Sequence, residues 1–532
     1  MVKVVTVIVV LLFSCSWAQT ERWVYCYHGP NDNADEALSV VYGRDGNIYA
    51  AGFVSDSAEN DIAVISLTTN GVQRWIYTYN GSGNYLDIAH RIICGPDSNL
   101  YLAGSSQGAG TEFDFVVLSL RPDGAERWVY RHDGTAHDWD AAYALVGGLD
   151  GNLYVAGTTC DTLTNDDFTV ISLTPDGTER WEYTYNGPDD MFEEAVAITC
   201  GGDGNLYVAG GGFGGGTEDL VVVSLTPQGH ERWVYRYDGP GQSWDRATDI
   251  VWGADGNIYV SGWASSTEGG YDFLILSLTP AGSERWVYRY DSPAHGLDQA
   301  FELIYAPDGN LYSAGGTWGM ETGADLTVIS LTPAGGERWV YRYPGPKSDR
   351  AHSIVYGTDG NLYTAGTICA TDSFDFVVLS LRPDGAERWI YRYNREENSP
   401  DEAYDLTWGD DNNLYVAGYC WKRGNGRDFT VVSLNPSLGV IESKLTKPSL
   451  QLIVNRFTSR QLTYTVSTPE PTTLKLSLFN PTGELIDSWT ATPPRGVSSG
   501  TRTLAPLPAG VFILQLADRT GATQERKLVL LK

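Results

Sequence analysis

The chain has 532 residues, with 66 acidic against 36 basic side chains and a formal charge of −30. A nucleic-acid partner wants a basic face, so that class is set aside. Sixty glycines and 12% aromatic residues beside only 3 methionines favour strands and turns over helices, and the expectation is an all-β protein.

At the start, Lys3 precedes an apolar run from Val4 to Phe13, followed by Ser14, Cys15, Ser16, Trp17 and Ala18. Residues 1–18 read as a secretory signal peptide, too short to span a bilayer, with Leu12-Phe13-Ser14-Cys15 loosely resembling a lipoprotein box. Export takes the remaining cysteines through an oxidising route. These are Cys26, Cys94, Cys160, Cys200, Cys369 and Cys420, with no CxxC and no adjacent pair. Lone buried thiols are expected rather than a zinc site or a dense disulfide framework.

From there a repeat governs the chain. Arg-Trp recurs at Trp23, Trp75, Trp128, Trp181, Trp233, Trp286, Trp339 and Trp389, in steps of 50 to 53 residues. Each unit holds four short β-rich runs, with Asp-Gly-Asn between the first two and a Pro-Asp-Gly type turn before Arg-Trp; both turns supply the positive φ of a tight hairpin. Four antiparallel strands per copy, eight times over, predict an eight-bladed β-propeller across residues 19–436. Runs such as Ile250 to Trp252 are apolar on both faces and read as inner strands, while Arg-Trp-x-Tyr-x-Tyr reads as the outer strand. Trp286, Tyr288 and Tyr290 would then pack between blades, and Arg285 and Arg289 would keep the outer edge charged. On this phasing Glu21 to Tyr27 is an outer strand without a blade, and the unit ending at Leu434 lacks one, so the N-terminal strand should close the eighth blade.

The phrase Asp359 to Gly366 with Asp375 to Gly385 resembles secreted bacterial β-propeller repeat families, and the Arg-Trp tail resembles the tryptophan docking motif of quinoprotein-like propellers. The quinoprotein chemistry implied by the second likeness needs a vicinal cysteine pair that this sequence lacks. After a linker at residues 437–449, residues 450–532 change composition and alternate strand, turn, strand. Their close, Leu507 to Leu516 and then Arg526 to Lys532, resembles the type IX secretion C-terminal sorting domain, a small β-sandwich. That resemblance implies passage across the outer membrane, type IX machinery as a partner, and an extracellular or surface-attached product. A plain Ig-like module is the alternative.

Because the blades are copies, positions that vary between them mark where a particular function sits. The loops from outer strand to next inner strand, and from second to third, vary and share one face. Trp139 and Trp244 are assigned to the first kind of loop, and Trp263, Trp318 and Trp421 to the second, as stacking or docking aromatics for a surface glycan or protein ligand; tucking between neighbouring loops is the alternative. An acidic column, Asp35, Asp87, Asp140, Glu193, Asp245, Asp298, Asp349 and Asp401, precedes the inner-strand alanine. Either these carboxylates ring the channel mouth, where they would recruit a cation such as calcium, or they cap turns through backbone N–H groups. Two residues after that alanine the column reads Ser39, Arg91, Ala144, Ala197, Asp249, Glu302, Ser353 and Asp405, which sets Arg91 facing three acids across a channel. Asp249 and Glu302 could serve glycoside hydrolysis if their separation were right, but they are read first as members of a satisfied interblade ion pair. The seven histidines form no HxxxH or His-Asp-Ser arrangement, so no catalytic residue and no cofactor is assigned. The reading is an exported, non-enzymatic binding scaffold at the bacterial surface, with a secreted polysaccharide-active hydrolase or lyase as runner-up.

Overall fold

The computed structural model describes residues 20–436, except 31–33, 57–58, 163–164, 321, 344, 346, 370–372, 397–398 and 425, and then the strands of 451–530 with parts of their connections. The signal-peptide reading of residues 1–18 and the linker at 437–449 lie outside the described residues.

Eight four-stranded antiparallel sheets make up the repeat region. In the first, Glu36–Tyr42, Ile48–Asp56, Glu59–Leu67 and Gln73–Tyr79 pair in chain order from inner to outer edge. The eighth sheet has only three consecutive strands, Asp401–Trp408, Leu414–Lys422 and Gly426–Asn435, and Thr20–Tyr27 supplies the fourth. Tyr27 lies opposite Phe429 and Glu21 opposite Leu434, so the ring closes as the phasing requires.

The core is a series of layers between blades. Ala197, Tyr207 and Val222 of the fourth blade pack on Ala247, Ile258 and Leu276 of the fifth, with Trp233 and Tyr235 along the outer part of the layer. An equivalent layer joins the chain's two ends, where Ala37, Ile48 and Ile65 meet Tyr415, Phe429 and Val431, with Trp23 and Tyr25 against them. Each inner strand carries a bulge, as between Ala300 and Glu302. The second-strand glycine opposite lies so close that a Cβ on Gly315 would fall 2.0 Å from the Gln299 carbonyl oxygen, which fixes glycine there.

In seven of the eight copies the repeated tryptophan latches one blade to the next through its indole N–H; Trp389 is buried but its Nε1 has no acceptor among the described residues. Trp233 Nε1 donates to the Pro280 carbonyl at 3.0 Å. Its ring covers Gly282 (φ 82°), where a Cβ would lie 2.6 Å from the indole. Trp23 repeats the arrangement over Gly71 and donates to the Thr69 carbonyl at 2.9 Å, carrying the latch across the closure. The outer-strand arginines do not stand out along the edge as the sequence suggested. Arg285 Nη1 donates to Ser277 Oγ at 2.7 Å and Tyr259 Oη at 3.2 Å, and Arg289 pairs with Asp272 at 2.5 Å. They fold back because hydroxyls and a carboxylate on their own blade offer acceptors. Tyr259 in turn donates to Asp255 of the Asp-Gly-Asn turn at 2.6 Å, so turn, second strand and outer strand form one network.

Residues 443–532 form a second compact unit. It has a three-stranded sheet, Gln451–Phe457, Gln461–Thr468 and Gly496–Thr503, and a four-stranded one ordered Leu485–Ala491, Leu474–Phe479, Gly510–Ala517 and Thr523–Leu530. Leu462 from the first sheet shares a core with Leu474, Leu476, Leu478, Phe512 and Leu514 from the second, which makes the unit a small β-sandwich.

Candidate ligand-binding face

Antiparallel alternation puts the Asp-Gly-Asn turns and the turns before Arg-Trp on one face of the ring, and the variable loops on the other. The acidic column lies at the base of those variable loops. All eight members, Asp35, Asp87, Asp140, Glu193, Asp245, Asp298, Asp349 and Asp401, are fully buried, which corrects the picture of an open ring of channel-mouth carboxylates. Backbone N–H groups reach both oxygens of Asp35, Asp140, Asp245, Asp298 and Asp401, and one oxygen of Asp87, Glu193 and Asp349, whose other oxygen is buried without a partner among the described residues. Gly239 and Ser265 each donate to Asp245 at 2.6 Å, Gly134 and Cys160 each donate to Asp140 at 2.6 Å, and Ser292 and Trp318 donate to Asp298 at 2.5 and 2.6 Å. The acid thus ties the loop entering its blade to the end of that blade's second strand. Burial raises these carboxyls, Asp35 and Asp245 to about 6 and Asp140, Glu193, Asp349 and Asp401 to about 7, against the backbone bonds that lower them.

Beside them, Asp114, Asp133 and Asp140 have ligand-type oxygens within 4.8 Å of one another, as do Asp219, Asp238 and Asp245. Arg131 reaches Asp114, and Arg236 lies 2.8 Å from Asp219, so a guanidinium brings positive charge to each group.

Trp139 and Trp244 stand on loops entering their blades, 44% and 55% exposed. The Trp139 ring packs 4.4 Å from that of Phe113. Trp263, Trp318 and Trp421 are half-buried and belong to the second strands Ile258–Ser265, Leu311–Gly319 and Leu414–Lys422, where they lie opposite Phe273, Ala324 and Arg427. Their assignment to loops is therefore corrected: strand length there is set by pairing with the third strand, and no turn residue in the sequence marks the end.

A pattern that sequence reasoning missed sits beside the acids. The residue before each acid is Leu86, Trp139, Phe192, Trp244 and Leu297 in five consecutive loops, then Ser348, Pro400 and Ala34 in the other three. Tyr85 and Met191 add exposed apolar surface to the same loops. Exposed Asp138, Asp189, Asp190 and Asp238 border this arc. The signal was present in the sequence as a column next to the one singled out.

The symmetry-breaking column stitches inner strands together. Asp249 Oδ2 accepts the Leu303 N–H at 2.9 Å, Glu302 Oε2 the Ile354 N–H at 2.5 Å, and Asp405 Oδ2 the Val40 N–H at 2.9 Å. Arg91 does face the acids, with Nη1 3.8 Å from Asp405, and the fields of Glu302 and Asp249 also reach it. Asp249 and Glu302 are thus engaged with the backbone of the following blade. Burial lifts Glu302 to about 7, while Arg91 pulls it down.

No family model and no curated protein matches the chain. Solved structures do match. Sqt1 of Chaetomium thermophilum bound to the N-terminus of ribosomal protein L10 is 10% identical, with a TM-score of 0.52, over 76% of this chain and 98% of that one. A second structure of Sqt1 from Chaetomium thermophilum is 10% identical, with a TM-score of 0.51, over 75% of this chain and 96% of that one. The fold is a β-propeller. At such identity the likeness carries the propeller architecture alone.

Proposed function

We propose that the propeller is a binding scaffold whose variable face holds a basic polypeptide segment bearing apolar side chains. The observation that carries this reading is the arc of Leu86, Trp139, Phe192, Trp244 and Leu297 on five neighbouring loops, bordered by aspartates, on a chain of net charge −30. Apolar anchors inside a charged rim suit a protein ligand, and the rim's sign selects a cationic one. The structure of Sqt1 with a ribosomal protein's N-terminus supports the fold's use for a polypeptide ligand.

The test is a screen of the full chain against basic and acidic peptide libraries, with glycans as the competing class. Trp139→Ala and Trp244→Ala should each weaken the selected peptide by about 1 to 3 kcal/mol, the range of hot-spot aromatics. Asp308→Asn, in a tight turn of the opposite face, should leave affinity unchanged, and added salt should weaken binding. Selection of glycans or acidic peptides, or two tryptophan variants that bind as the parent does, would overturn the reading.

We further propose that the protein is exported and displayed at the cell surface, with the C-terminal sandwich as its type IX address. The N-terminal apolar run and the close from Arg526 to Lys532 support this. Deleting residues 450–532 should leave a folded propeller in the periplasm; surface display that survives the deletion would refute it.

A further inference from the structure

The five loops that carry the apolar arc share a backbone feature. The residue two positions before the apolar one is left-handed in each: Asn84, His137, Asp190, Gln242 and His295 have φ between 46° and 55°. Asparagine, aspartate and histidine tolerate that region better than most side chains. The N–H of the left-handed residue donates to the carbonyl three residues earlier, at 3.1 Å from His137 to Gly134 and 3.2 Å from Gln242 to Gly239. The buried acid after the apolar residue is tied down as well, Asp140 N–H to the Phe113 carbonyl at 2.7 Å and Asp245 N–H to the Glu218 carbonyl at 2.8 Å, each at the start of the preceding blade's third strand. Successive loops therefore present their apolar residues at equivalent points, one to a blade.

Packed sheets lie about 10 Å apart, which sets the step from one such point to the next. Three in a row are aromatic, Trp139, Phe192 and Trp244. Trp139 packs on Phe113 at 4.4 Å, and the Arg246 guanidinium lies 6.0 Å from the centre of the Phe192 ring, so these two rings are held in place before a ligand arrives. Exposed Asp138, Asp189, Asp190 and Asp238 stand on the same three loops.

The step selects a chain conformation. A polyproline II helix has three residues per turn and rises about 3.1 Å per residue, so every third side chain lies on one side, about 9.3 Å from the last. A β-strand covers a similar distance in three residues but points successive third residues to opposite sides. An α-helix needs about seven residues for the step and keeps a nearly straight axis, whereas the array turns by about 45° from one of the eight blades to the next.

On the reading that this face holds a basic polypeptide, we propose that the bound segment is also proline-rich and lies as a polyproline II helix, setting an apolar residue on Trp139, Phe192 and Trp244 at every third position. Its backbone needs no strand edge to pair with, only aromatic seats. The other two residues of each turn face the rim, where arginine or lysine meets the aspartates and proline holds φ at its bound value, which lowers the cost of ordering the chain.

The test measures, by calorimetry on the full chain, the binding of three synthetic peptides of equal length. They are four repeats of Leu-Pro-Arg, a permutation of the same composition with leucine at every second position, and the repeat with each proline replaced by glycine. The first should bind at least about tenfold more tightly than either of the others. Phe192→Ala should weaken it about fivefold or more, the lower end of hot-spot contacts. The peptide comparison is made on the parent protein and so decides the matter even where the variant folds poorly. A permutation that binds as tightly as the repeat overturns the register, and a glycine version that does so overturns the conformation; both results leave the basic-polypeptide reading standing. Unchanged affinity in Phe192→Ala would also overturn the proposal, and failure of all three peptides to bind would overturn it together with that reading.

Discussion

Deleting residues 19–29 should destabilise the ring by about 5 kcal/mol or more, the scale of a whole domain's net stability. The lost strand serves three blades at once. Within the eighth it pairs along Gly426–Asn435, and Arg22 Nη1 donates to Ser433 Oγ at 2.9 Å and Tyr415 Oη at 3.1 Å. Toward the seventh, Glu21 accepts from Tyr391 at 2.6 Å, and toward the first, Tyr25 donates to Gln73 at 2.8 Å and Trp23 docks on Gly71. Its removal also leaves a long strand edge unpaired, an invitation to association. Calorimetry and light scattering check both effects. A truncated chain that melts within a degree of the intact one, and stays monomeric, would show that closure lies elsewhere.

The second large effect is on pH. The buried acids titrate higher in the folded ring, at about 6 to 7 for six of them, than the value near 4 of an unfolded chain. Between those values the native state holds more protons, so the stabilisation these groups contribute is complete below about pH 4 and is lost as pH rises through about 7. His90 and His352, pressed by burial to about 4, act oppositely between about 4 and 6.5, but they are two against eight. A tenfold preference for the proton retained at only three of the acids is worth about 4 kcal/mol. The melting temperature should therefore be several degrees higher at pH 5 than at pH 8. The difference should persist in high salt, which would erase one due to surface repulsion. A melting temperature that is flat or rises with pH excludes the desolvation account.

The architecture was legible because each blade restates it. Arg-Trp, Asp-Gly-Asn and the glycine turns recur, and the orphan run at Glu21 with the missing one after Leu434 fixes the closure by subtraction. The acidic column was legible as a column and capping of backbone N–H groups was one of its two readings, but the donors were not, because those at Gly239 and Ser265 flank Asp245 from two separate segments. Trp263, Trp318 and Trp421 were misplaced for a related reason: a strand ends where its partner ends. That Asp249 and Glu302 engage the backbone of the next blade was not legible, because each accepts from an N–H roughly one repeat away. That Cys26 and Cys420 meet across 394 positions, their Sγ atoms 3.4 Å apart, follows only once the ring is closed.

The borrowed strand also sets the order of assembly. Thr20–Tyr27 is synthesised first, yet its partner Gly426–Asn435 emerges more than four hundred residues later. The other blades complete themselves from neighbouring segments, so they can form in sequence as chain becomes available, while the first strand waits. The final step then carries the highest contact order in the molecule and is the slowest on topological grounds. A chain interrupted between residues 185 and 426 would hold several finished blades and two open edges, a species that exposes its incompleteness to proteases and chaperones.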